Sequence, residues 1–469
     1  MLYSTPLPYQ SDAGAYFAAI RDLPWAAWLD SAGCGRYDIL VARPVATLST
    51  QGEHTEIREG SGMRVAEGDP LNLLREQLGA PIMPIPEIPF AGGAIGFWSY
   101  DLGRRYHPIG NVAQHQNQMP DMAIGIYDWS ILIDHQEKCA RLVSRQRYPE
   151  TEKVLSQMLE RLSAIPLPAS EEIAFNVHGA VTSSLTYTAY REAYNAVMNY
   201  LREGDCYQVN LAQRFSAEAS GDAYAAYLEL RDLSPAPYSA FLDWPQAQIL
   251  CASPERFLRV QQGMVQTKPI KGTRARNVDA VEDARLAEEL RQHPKDRAEN
   301  LMIVDLLRND ISKSCEPGSV RTPKLFEVES FANVHHLVST VEGRLADGRD
   351  ALDVLRDCFP GGSITGAPKR RAMEVIEQLE MHRRGLYCGA IGYIGFDRNM
   401  DTNIAIRMLV YAQDEIHCWA GGGIVADSQC EAEYQETLDK AAAMLAVLKR
   451  FGGDIASSGA MSGRNILDP

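Results

Sequence analysis

The pattern of apolar and polar positions predicts several strands early in the chain, followed by a helix. Residues 122–127 and 130–133 are apolar runs of strand length, and the polar segment 134–138 is typical of a hairpin turn before a further strand. Apolar residues then recur at helical spacing, namely Val154, Leu155, Met158, Leu159 and Leu162. The first part of the chain is therefore expected to be rich in strands and to close with a helix.

A second predicted helix is marked at both ends. Thr188 can cap its first turn, and Gly204 stands where a C-terminal stop belongs. Its apolar face consists of Tyr190, Ala193, Tyr194, Val197, Met198 and Leu201. A strand-like segment follows at 207–215. Because strands and helices mix without a steady βαβ alternation, the pattern favours an α+β layered body.

The proline-rich segment 165–170 is the best internal boundary. It divides residues 1–165 from a second part, residues 171–450, and the Gly- and Ser-rich tail 452–469 is expected to be flexible. A length of 469 residues allows either several small domains or one large interwoven body.

Composition and charge narrow the possible partners. The formal net charge of -15 argues against nucleic acid, because phosphate binding needs clustered Lys and Arg. The chain starts without a secretory signal pattern, and no stretch approaches the roughly 18 apolar residues of a membrane span. The nine cysteines are scattered without a CxxC pair, which indicates reduced thiols in a cytoplasm. Since the overall acidic charge repels anions, any anion-binding site must depend on groups that attract the anion locally.

Carboxylates on two predicted helices are candidates for chemistry. On the helix beginning near Pro294, Glu299 projects from an apolar stripe formed by Met302, Ile303 and Leu306. A buried carboxylate needs a cation or hydrogen-bond partners, and a salt bridge to an arginine is the simpler interpretation. Ser428 and Glu431 predict a capping box for the second helix. Along that helix Glu433, Glu436 and Lys440 lie on one side.

Glycine-rich segments and one lysine add to this set. The run 420–423 would let a ligand approach the backbone closely, although such a run is often only a tight turn. The loop 360–369 leads into a helix and suits an anion, but its spacing is not that of a Walker A loop. Lys271 precedes Gly272. It is either a solvated charge or, if held away from water or near other cations, an amine nucleophile.

Taken together, these segments resemble the chorismate-utilising enzymes, the family of anthranilate synthase component I and aminodeoxychorismate synthase component I. The matching segments are GDCYQVNL (204–211), ASPERF (252–257), MIVDLLRND (302–310), HLVS (336–339), TGAPK (365–369), GAIGY (389–393) and AGGGIV (420–425). The N-terminal part adds WAAWLDS (25–31) and GAIGF (93–97), so the resemblance covers nearly the whole chain.

The resemblance implies an intertwined α+β fold around two antiparallel sheets, so the boundary near 165 need not separate independent modules. It implies a Mg²⁺ ion held by Glu299 and Glu436, a role that suits magnesium's preference for carboxylate and substrate oxygens. It also implies a set of chorismate contacts: Gly272, Thr273, Tyr387, Arg407, Gly421, Gly422, Gly423 and Lys440. Arg407 and Lys440 would pair with carboxylate oxygens of the substrate.

Two positions point to one branch of this family. Isochorismate- and salicylate-forming members carry a water-activating lysine where this chain has Gln208, and Lys271 is typical of the aminodeoxychorismate branch. The resemblance then implies that Lys271 attacks ring carbon C2 while Glu255 protonates the departing C4 hydroxyl, after which ammonia attacks C4. His336 matches an active-site histidine of the family, although it could instead be a satisfied core residue.

The expected function is therefore magnesium-dependent amination of chorismate, with ammonia supplied by a separate glutamine amidotransferase subunit. No cysteine stands in the Gly-x-Cys-x-Gly elbow of such a glutaminase. The alternatives are formation of anthranilate plus pyruvate, and a non-catalytic chorismate or tryptophan sensor.

The family resemblance also indicates a tryptophan site away from chorismate. The matching residues are Ser31, Tyr37, Pro237, Tyr238 and Ser239. These five residues could instead simply pack the two parts of the chain together.

Overall fold

The computed structural model describes residues 2–114, 119–163, 174–331 and 334–455. In these ranges the strands are β1 Tyr3–Leu7, β2 Ala26–Asp30, β3 Tyr37–Val41, β4 Ala46–Gln51, β5 His54–Glu59, β6 Gly62–Glu67, β7 Gly93–Trp98, β8 Met122–Tyr127, β9 Trp129–Asp134, β10 Cys139–Ser144, β11 Phe175–Ser183, β12 Gln208–Gly221, β13 Tyr238–Trp244, β14 Ala247–Ser253, β15 Arg256–Gln261, β16 Met264–Thr267, β17 Ile270–Ala275, β18 Arg321–Ser330, β19 Val334–Arg344, β20 Gly366–Ala367, β21 Ala390–Gly395, β22 Met400–Ile404, β23 Met408–Ala412, β24 Glu415–Ile424 and β25 Asp454–Ile455.

The α-helices are α1 Gly14–Ala18, α2 Pro70–Leu78, α3 Thr151–Ser163, α4 Tyr187–Glu203, α5 Tyr224–Leu233, α6 Ala280–Gln292, α7 Pro294–Ser312, α8 Ala351–Cys358, α9 Lys369–Leu379 and α10 Cys430–Arg450. Short 3₁₀ segments occur at Tyr100–Arg105 and Gly362–Ile364. No helix in the described ranges has the length and apolar character needed to cross a bilayer. The predicted boundary at 165–170 and residues 456–469 of the predicted tail lie outside the described residues.

The strands form two large sheets. The first has the order β1-β10-β9-β3-β2-β13-β14-β23-β24-β12-β11-β25, with β20 also paired to β12. The second has the order β17-β19-β16-β15-β22-β21-β7-β8-β4-β5-β6, with β18 also paired to β19. Neighbouring strands are antiparallel except for β11 and β25, which run parallel. The predicted α+β fold around two antiparallel sheets is confirmed, with this one parallel pair as an addition.

Strands from early and late in the chain lie side by side in both sheets. In the first sheet β2 pairs with β13, and in the second β7 pairs with β21. The inner faces of the sheets pack together, because Ile95 and Ile391 of the second sheet share one core cluster with Leu242 and Val410 of the first. Helices cover the outer faces, as where Met444 of α10 joins the core cluster of Phe241.

Local signals explain most helix ends, with two corrections. Helix α4 ends at Gly204, whose φ of +80° is left-handed, as predicted. Its N-terminal cap, however, is Thr186, which accepts from the N–H of Ala189, so the assignment of Thr188 was wrong by two residues. The capping box predicted from Ser428 and Glu431 is also wrong. Helix α10 starts after Gln429 without a side-chain cap, and the Ser428 hydroxyl donates to Glu433 instead (2.5 Å).

Candidate active site

Glu255 lies in the short connection between β14 and β15, with its side chain buried. Its backbone is held on both sides, because its N–H donates to Ser253 Oγ (3.2 Å) and its carbonyl accepts from the N–H of Ile404 (2.9 Å). Burial raises the pKa of Glu255 to about 6, although a hydrogen bond from Ser363 and the charge of Lys271 act against that rise. A carboxyl group with this pKa is protonated often enough near neutrality to act as a general acid.

Lys271 is the second residue of β17, at a point where the pairing of β17 with β19 is irregular. The next residue, Gly272, has a left-handed φ of +80°, and a Cβ there would lie only 2.8 Å from Asp296 Cγ. Burial lowers the pKa of Lys271; Glu299 opposes this effect and the charge of Lys440 adds to it. Lys271 therefore has more unprotonated amine at neutral pH than a free lysine, as a nucleophile requires.

His336 lies on β19 directly opposite Thr273 of β17. Thr273 Oγ1 and His336 Nδ1 are 2.9 Å apart, a hydrogen-bond distance. Burial lowers the pKa of His336 to about 4, and the charge of Arg407 acts in the same direction. The imidazole is therefore neutral near pH 7. In this form one ring nitrogen can donate a hydrogen bond and the other can accept one, and the ring adds no charge to the site.

Carboxylates of two helices face one another across this site. They belong to Glu299 of α7 and to Glu433 and Glu436 of α10. Lys295 Nζ lies 3.8 Å from Glu299 Oε1 and 3.7 Å from Glu433 Oε1. Burial raises the pKa of Glu299, with Lys271 and then Lys295 acting against it. The cation beside Glu299 is thus a lysine one turn earlier on the same helix, in place of the arginine considered from the sequence.

Cationic groups converge where β24 meets α10. Lys440 Nζ lies 2.6 Å from Glu436 Oε1 and donates to the carbonyl of Gly421 (3.0 Å). Arg407 Nη1 donates to the backbone carbonyl of Lys440 (2.8 Å). Burial acts to raise the pKa of Glu436, but the charge and hydrogen bond of Lys440 bring it below its usual value. The ammonium of Lys440 and the guanidinium of Arg407 together give the local positive charge that an anionic ligand needs in an acidic protein.

The three predicted glycines lie at the end of β24, each with a different close neighbour. A Cβ at Gly421 would meet the carbonyl oxygen of Leu211 at 2.6 Å. A Cβ at Gly422 would lie 3.2 Å from Glu433 Oε2 and 3.3 Å from Glu436 Oε1. The missing side chain at Gly422 therefore lets two carboxylates lie directly against strand β24.

Gln208 and Tyr387 complete the walls of the site. The Gln208 side chain is fully buried, and its Nε2 would lie 2.8 Å from a Cβ at Gly423. Within the described residues, neither polar atom of this amide has a hydrogen-bond partner. The Tyr387 ring is buried and stacks on Trp419 of β24, with ring centroids 5.9 Å apart. Arg407 lies within electrostatic range of Tyr387.

The residues at Glu299 and Glu436 fit a magnesium ion by their chemistry. Both supply carboxylate oxygens, the ligands that magnesium prefers, and they come from different helices, with no side chain at Gly422 to crowd Glu436. Among the described residues, no group of three or more His, Cys, Asp or Glu side chains is arranged as a self-sufficient metal site. Two protein carboxylates leave coordination positions for substrate oxygens and water, which is the usual manner of magnesium binding.

The structure brings the predicted catalytic, metal and substrate residues to one place, and it adds three that were not assigned a role from the sequence. Lys295 lies one helical turn before Glu299, and Glu433 lies one turn before Glu436. Their spacing in the sequence therefore indicated that each shares a helix face with a predicted magnesium ligand. Ser363, which hydrogen-bonds the carboxylate of Glu255, had no such signal because it comes from a distant 3₁₀ segment.

The five residues of the predicted tryptophan site lie in a different place. A separate cavity of about 520 Å³ is lined by Ser31, Tyr37, Pro237, Tyr238 and Ser239 together with neighbouring residues. Its lining includes Arg256, which forms an ion pair with Asp401 (2.9 Å) and directly follows Glu255 in sequence. The five residues therefore share one cavity, while the ligand of that cavity stays a prediction.

The fold and this site define an enzyme of a known class. The family model described as chorismate binding enzyme matches residues 26–446. The chain therefore belongs to the chorismate-binding enzyme family, and the resemblance seen in its motifs is confirmed.

Individual relatives agree with this assignment. The chain is 48% identical over 442 residues to aminodeoxychorismate synthase component 1 of Klebsiella aerogenes, covering 92% of this chain and 96% of that protein. It is 47% identical over 442 residues to the protein of the same name in Salmonella typhimurium, covering 92% and 95% of the two chains. Anthranilate synthase component I of Streptococcus pneumoniae has a similar structure, with a TM-score of 0.78, 36% identity, and coverage of 87% of this chain and 92% of that one. The chain is a chorismate-utilising enzyme.

Proposed function

We propose that this enzyme aminates chorismate at C4 to give 4-amino-4-deoxychorismate, with Lys271 as a covalent nucleophile and magnesium as cofactor. The observation that carries the proposal is the position of Lys271, a lysine of lowered pKa within electrostatic range of Glu255, Glu299 and Glu436. Aminodeoxychorismate synthase component 1 is also the name of the relatives that are 46 to 48% identical to this chain.

The proposed reaction is a double displacement. The neutral amine of Lys271 forms a bond to ring carbon C2, the ring double bonds shift, and the C4–O bond breaks. Glu255 gives its proton to the departing hydroxyl, which leaves as water. Ammonia then bonds to C4, the double bonds shift back, and the C2–N bond breaks to release the lysine. The new ammonium at C4 returns one proton to Glu255, so the enzyme regains its starting state.

Charged side chains would orient the substrate for these steps. Glu299 and Glu436 would hold the magnesium ion, which when bound supplies positive charge for a substrate carboxylate. Lys440 and Arg407 would pair with carboxylate oxygens beside Gly421. Because these contacts hold the ring in one orientation, Lys271 and Glu255 can act on C2 and C4 of the same molecule.

The proposed source of ammonia is a separate glutamine amidotransferase. At neutral pH most ammonia is ammonium, which has no lone pair to attack carbon, and a partner that releases ammonia in a sheltered path solves this problem. A glutaminase nucleophile would be an activated cysteine. Burial raises the pKa of Cys34, the cysteine with the most similar sequence context, which disfavours its thiolate. The relatives' designation as component 1 also supports a second component.

Product analysis tests the proposal. The purified chain is given chorismate, magnesium and ammonium salts at high pH, and the products are separated by chromatography. We expect 4-amino-4-deoxychorismate, whereas anthranilate plus pyruvate would assign the other synthase activity and no turnover would favour a sensor. Glutamine should not replace the ammonium salt. Efficient use of glutamine by a preparation free of other proteins would refute the need for a partner.

The covalent step needs its own variant. Lys271→Met removes the amine but keeps most of the side-chain length. The covalent adduct of enzyme and chorismate-derived ring, detected by mass spectrometry of the protein, should therefore vanish, and amination should fall by about 10²-fold or more. Lys268→Met is the matched control. Lys268 lies on the same segment but pairs with Glu329, so this variant should retain both adduct and activity. Wild-type amination by Lys271→Met would show that the covalent scheme is wrong.

A further inference from the structure

A buried ion pair lies behind the wall of the active site. The side chains of Arg384 and Glu380 are 1% and 6% exposed, and Arg384 Nη2 lies 2.6 Å from Glu380 Oε1. Arg384 Nε also donates to Glu380 Oε2 (2.9 Å), so the pair is bidentate. Since moving two charges out of water is costly, such a pair is retained only with excellent geometry and further hydrogen bonds.

Those further hydrogen bonds join three separate segments. Arg384 Nη1 donates to the carbonyl of Ile364 in the 3₁₀ segment (3.0 Å), and Nη2 donates to the carbonyl of Asn210 in β12 (2.9 Å). On the other side of the pair, Glu380 Oε1 accepts from the backbone N–H of Ala212 (3.0 Å). The ion pair therefore fixes the end of α9, strand β12 and the 3₁₀ segment relative to one another.

Two of these segments, the 3₁₀ segment and β12, contribute to the active site. Ile364 follows Ser363, the residue whose hydroxyl hydrogen-bonds Glu255. Asn210 lies opposite Gly423 in the pairing of β12 with β24. Arg384 itself also lies near Tyr387, because its guanidinium carbon is 5.6 Å from the centre of that ring.

We propose that Arg384 is a positioning residue for the amination reaction. It acts through Ser363 and Tyr387 to hold Glu255 and the substrate ring in the correct orientation relative to one another. This inference rests on the proposed function. Arg384 is too deeply buried to reach a substrate, so its effect is transmitted through the 3₁₀ segment and the tyrosine. Displacement of about 1 Å in groups that orient a substrate can cost on the order of 10²-fold in rate, so such a residue should affect turnover more than affinity.

A second buried ion pair on the same helix provides a matched control. Arg104 pairs with Glu377 of α9, three residues before Glu380, and their side chains are 14% and 4% exposed. In the part of the chain that the structure describes, the other partners of Arg104 are Asp101 and the carbonyl of Gly110, neither of which belongs to the active site. Loss of a bond at Arg104 should therefore weaken the fold while leaving the hydrogen bonds of Arg384 to Glu380, Ile364 and Asn210 in place.

The experiment compares Arg384→Lys with Arg104→Lys in the ammonium-dependent reaction, at a temperature where circular dichroism shows both to be folded. Lysine keeps the charge but cannot bond Glu380, Ile364 and Asn210 at once. We expect Arg384→Lys to lower kcat by roughly 10- to 100-fold with little change in KM for chorismate, and Arg104→Lys to leave kcat unchanged. Equal kcat values for the two variants would overturn the proposal. If Arg384→Lys does not fold, Glu380→Gln replaces it under the same criterion.

A double-mutant cycle separates positioning from general destabilisation. If Arg384 acts through Ser363, the loss of kcat in Ser363→Ala and the loss in Arg384→Lys should not multiply when the changes are combined. Full multiplication of the two losses would reject that route. Failure of the proposed function itself has a different signature, because the wild-type chain would then form no aminodeoxychorismate, whatever the variants do.

Discussion

The substitution Gly422→Ala tests the arrangement of carboxylates more directly than removal of a carboxylate does. The new methyl group would lie 3.2 Å from Glu433 Oε2 and 3.3 Å from Glu436 Oε1, whereas ordinary contacts of this kind begin near 3.4 Å. Gly422 lies within strand β24 and does not have a left-handed φ, so alanine fits the backbone. The two flexible carboxylates must therefore move by a few tenths of an ångström while the strand stays in place.

Stability and magnesium binding should respond differently to this change. Alanine in a strand gains about 0.5–1 kcal/mol over glycine because the unfolded chain has less freedom, and crowding of the carboxylates offsets part of that gain. The free energy of unfolding should thus stay within about 1 kcal/mol of the wild-type value. Displacing groups at a metal site typically costs 10- to 100-fold in affinity, so the magnesium concentration for half-maximal amination should rise by roughly 10-fold or more.

The assay is a magnesium titration of the ammonium-dependent reaction, paired with urea unfolding of the same preparation. Gly110→Ala is the control, since among the described residues a Cβ there would have only Val112 Cγ2 within 4 Å, at 3.9 Å. This control should leave the magnesium titration unchanged. A folded Gly422→Ala variant with a wild-type magnesium requirement would show that the space beside Glu436 is not the ion's site.

Three further predictions concern other residues. Glu299→Gln should raise the magnesium requirement, and full activity of EDTA-treated wild type would contradict any metal role. The pKa of Glu255 rises from 4.5 to about 6 on folding, so the ionised carboxylate, which predominates at pH 8, destabilises the folded protein. Glu255→Gln should therefore raise the free energy of unfolding by about 2 kcal/mol at pH 8 and leave it unchanged at pH 4, as measured by urea unfolding. Tryptophan bound beside Tyr238 should be released and detected by mass spectrometry when dialysed protein is denatured. Ser31→Trp fills the cavity and should abolish this release. Absence of both release and calorimetric binding would indicate that these residues only pack the two parts of the chain together.

Much of the local structure could be predicted because it depends on short-range periodicity. The strand run at 122–127 became β8, the spacing from Val154 to Leu162 became α3, and the glycine stop at Gly204 has the expected left-handed backbone. The cap positions were predicted less well. A capping residue has an extended backbone just before the first helical residue, and Thr186 has this conformation (φ -70°, ψ 162°). Thr188 already lies inside the helix, which begins at Tyr187.

The sequence by itself determined the family and the α+β class, and it named the candidate residues for the chemistry, because those properties lie in ordered motifs and in residue types. It could not determine which strands pair, since β2 meets β13 across more than 200 intervening positions and only the packed sheets bring them together. The environments of the site residues were likewise decided by tertiary structure. Burial raises the pKa of Glu255 against the opposing charge of Lys271, and it lowers the pKa of Lys271 against the opposing charge of Glu299. Desolvation exists only once the surrounding chain excludes water.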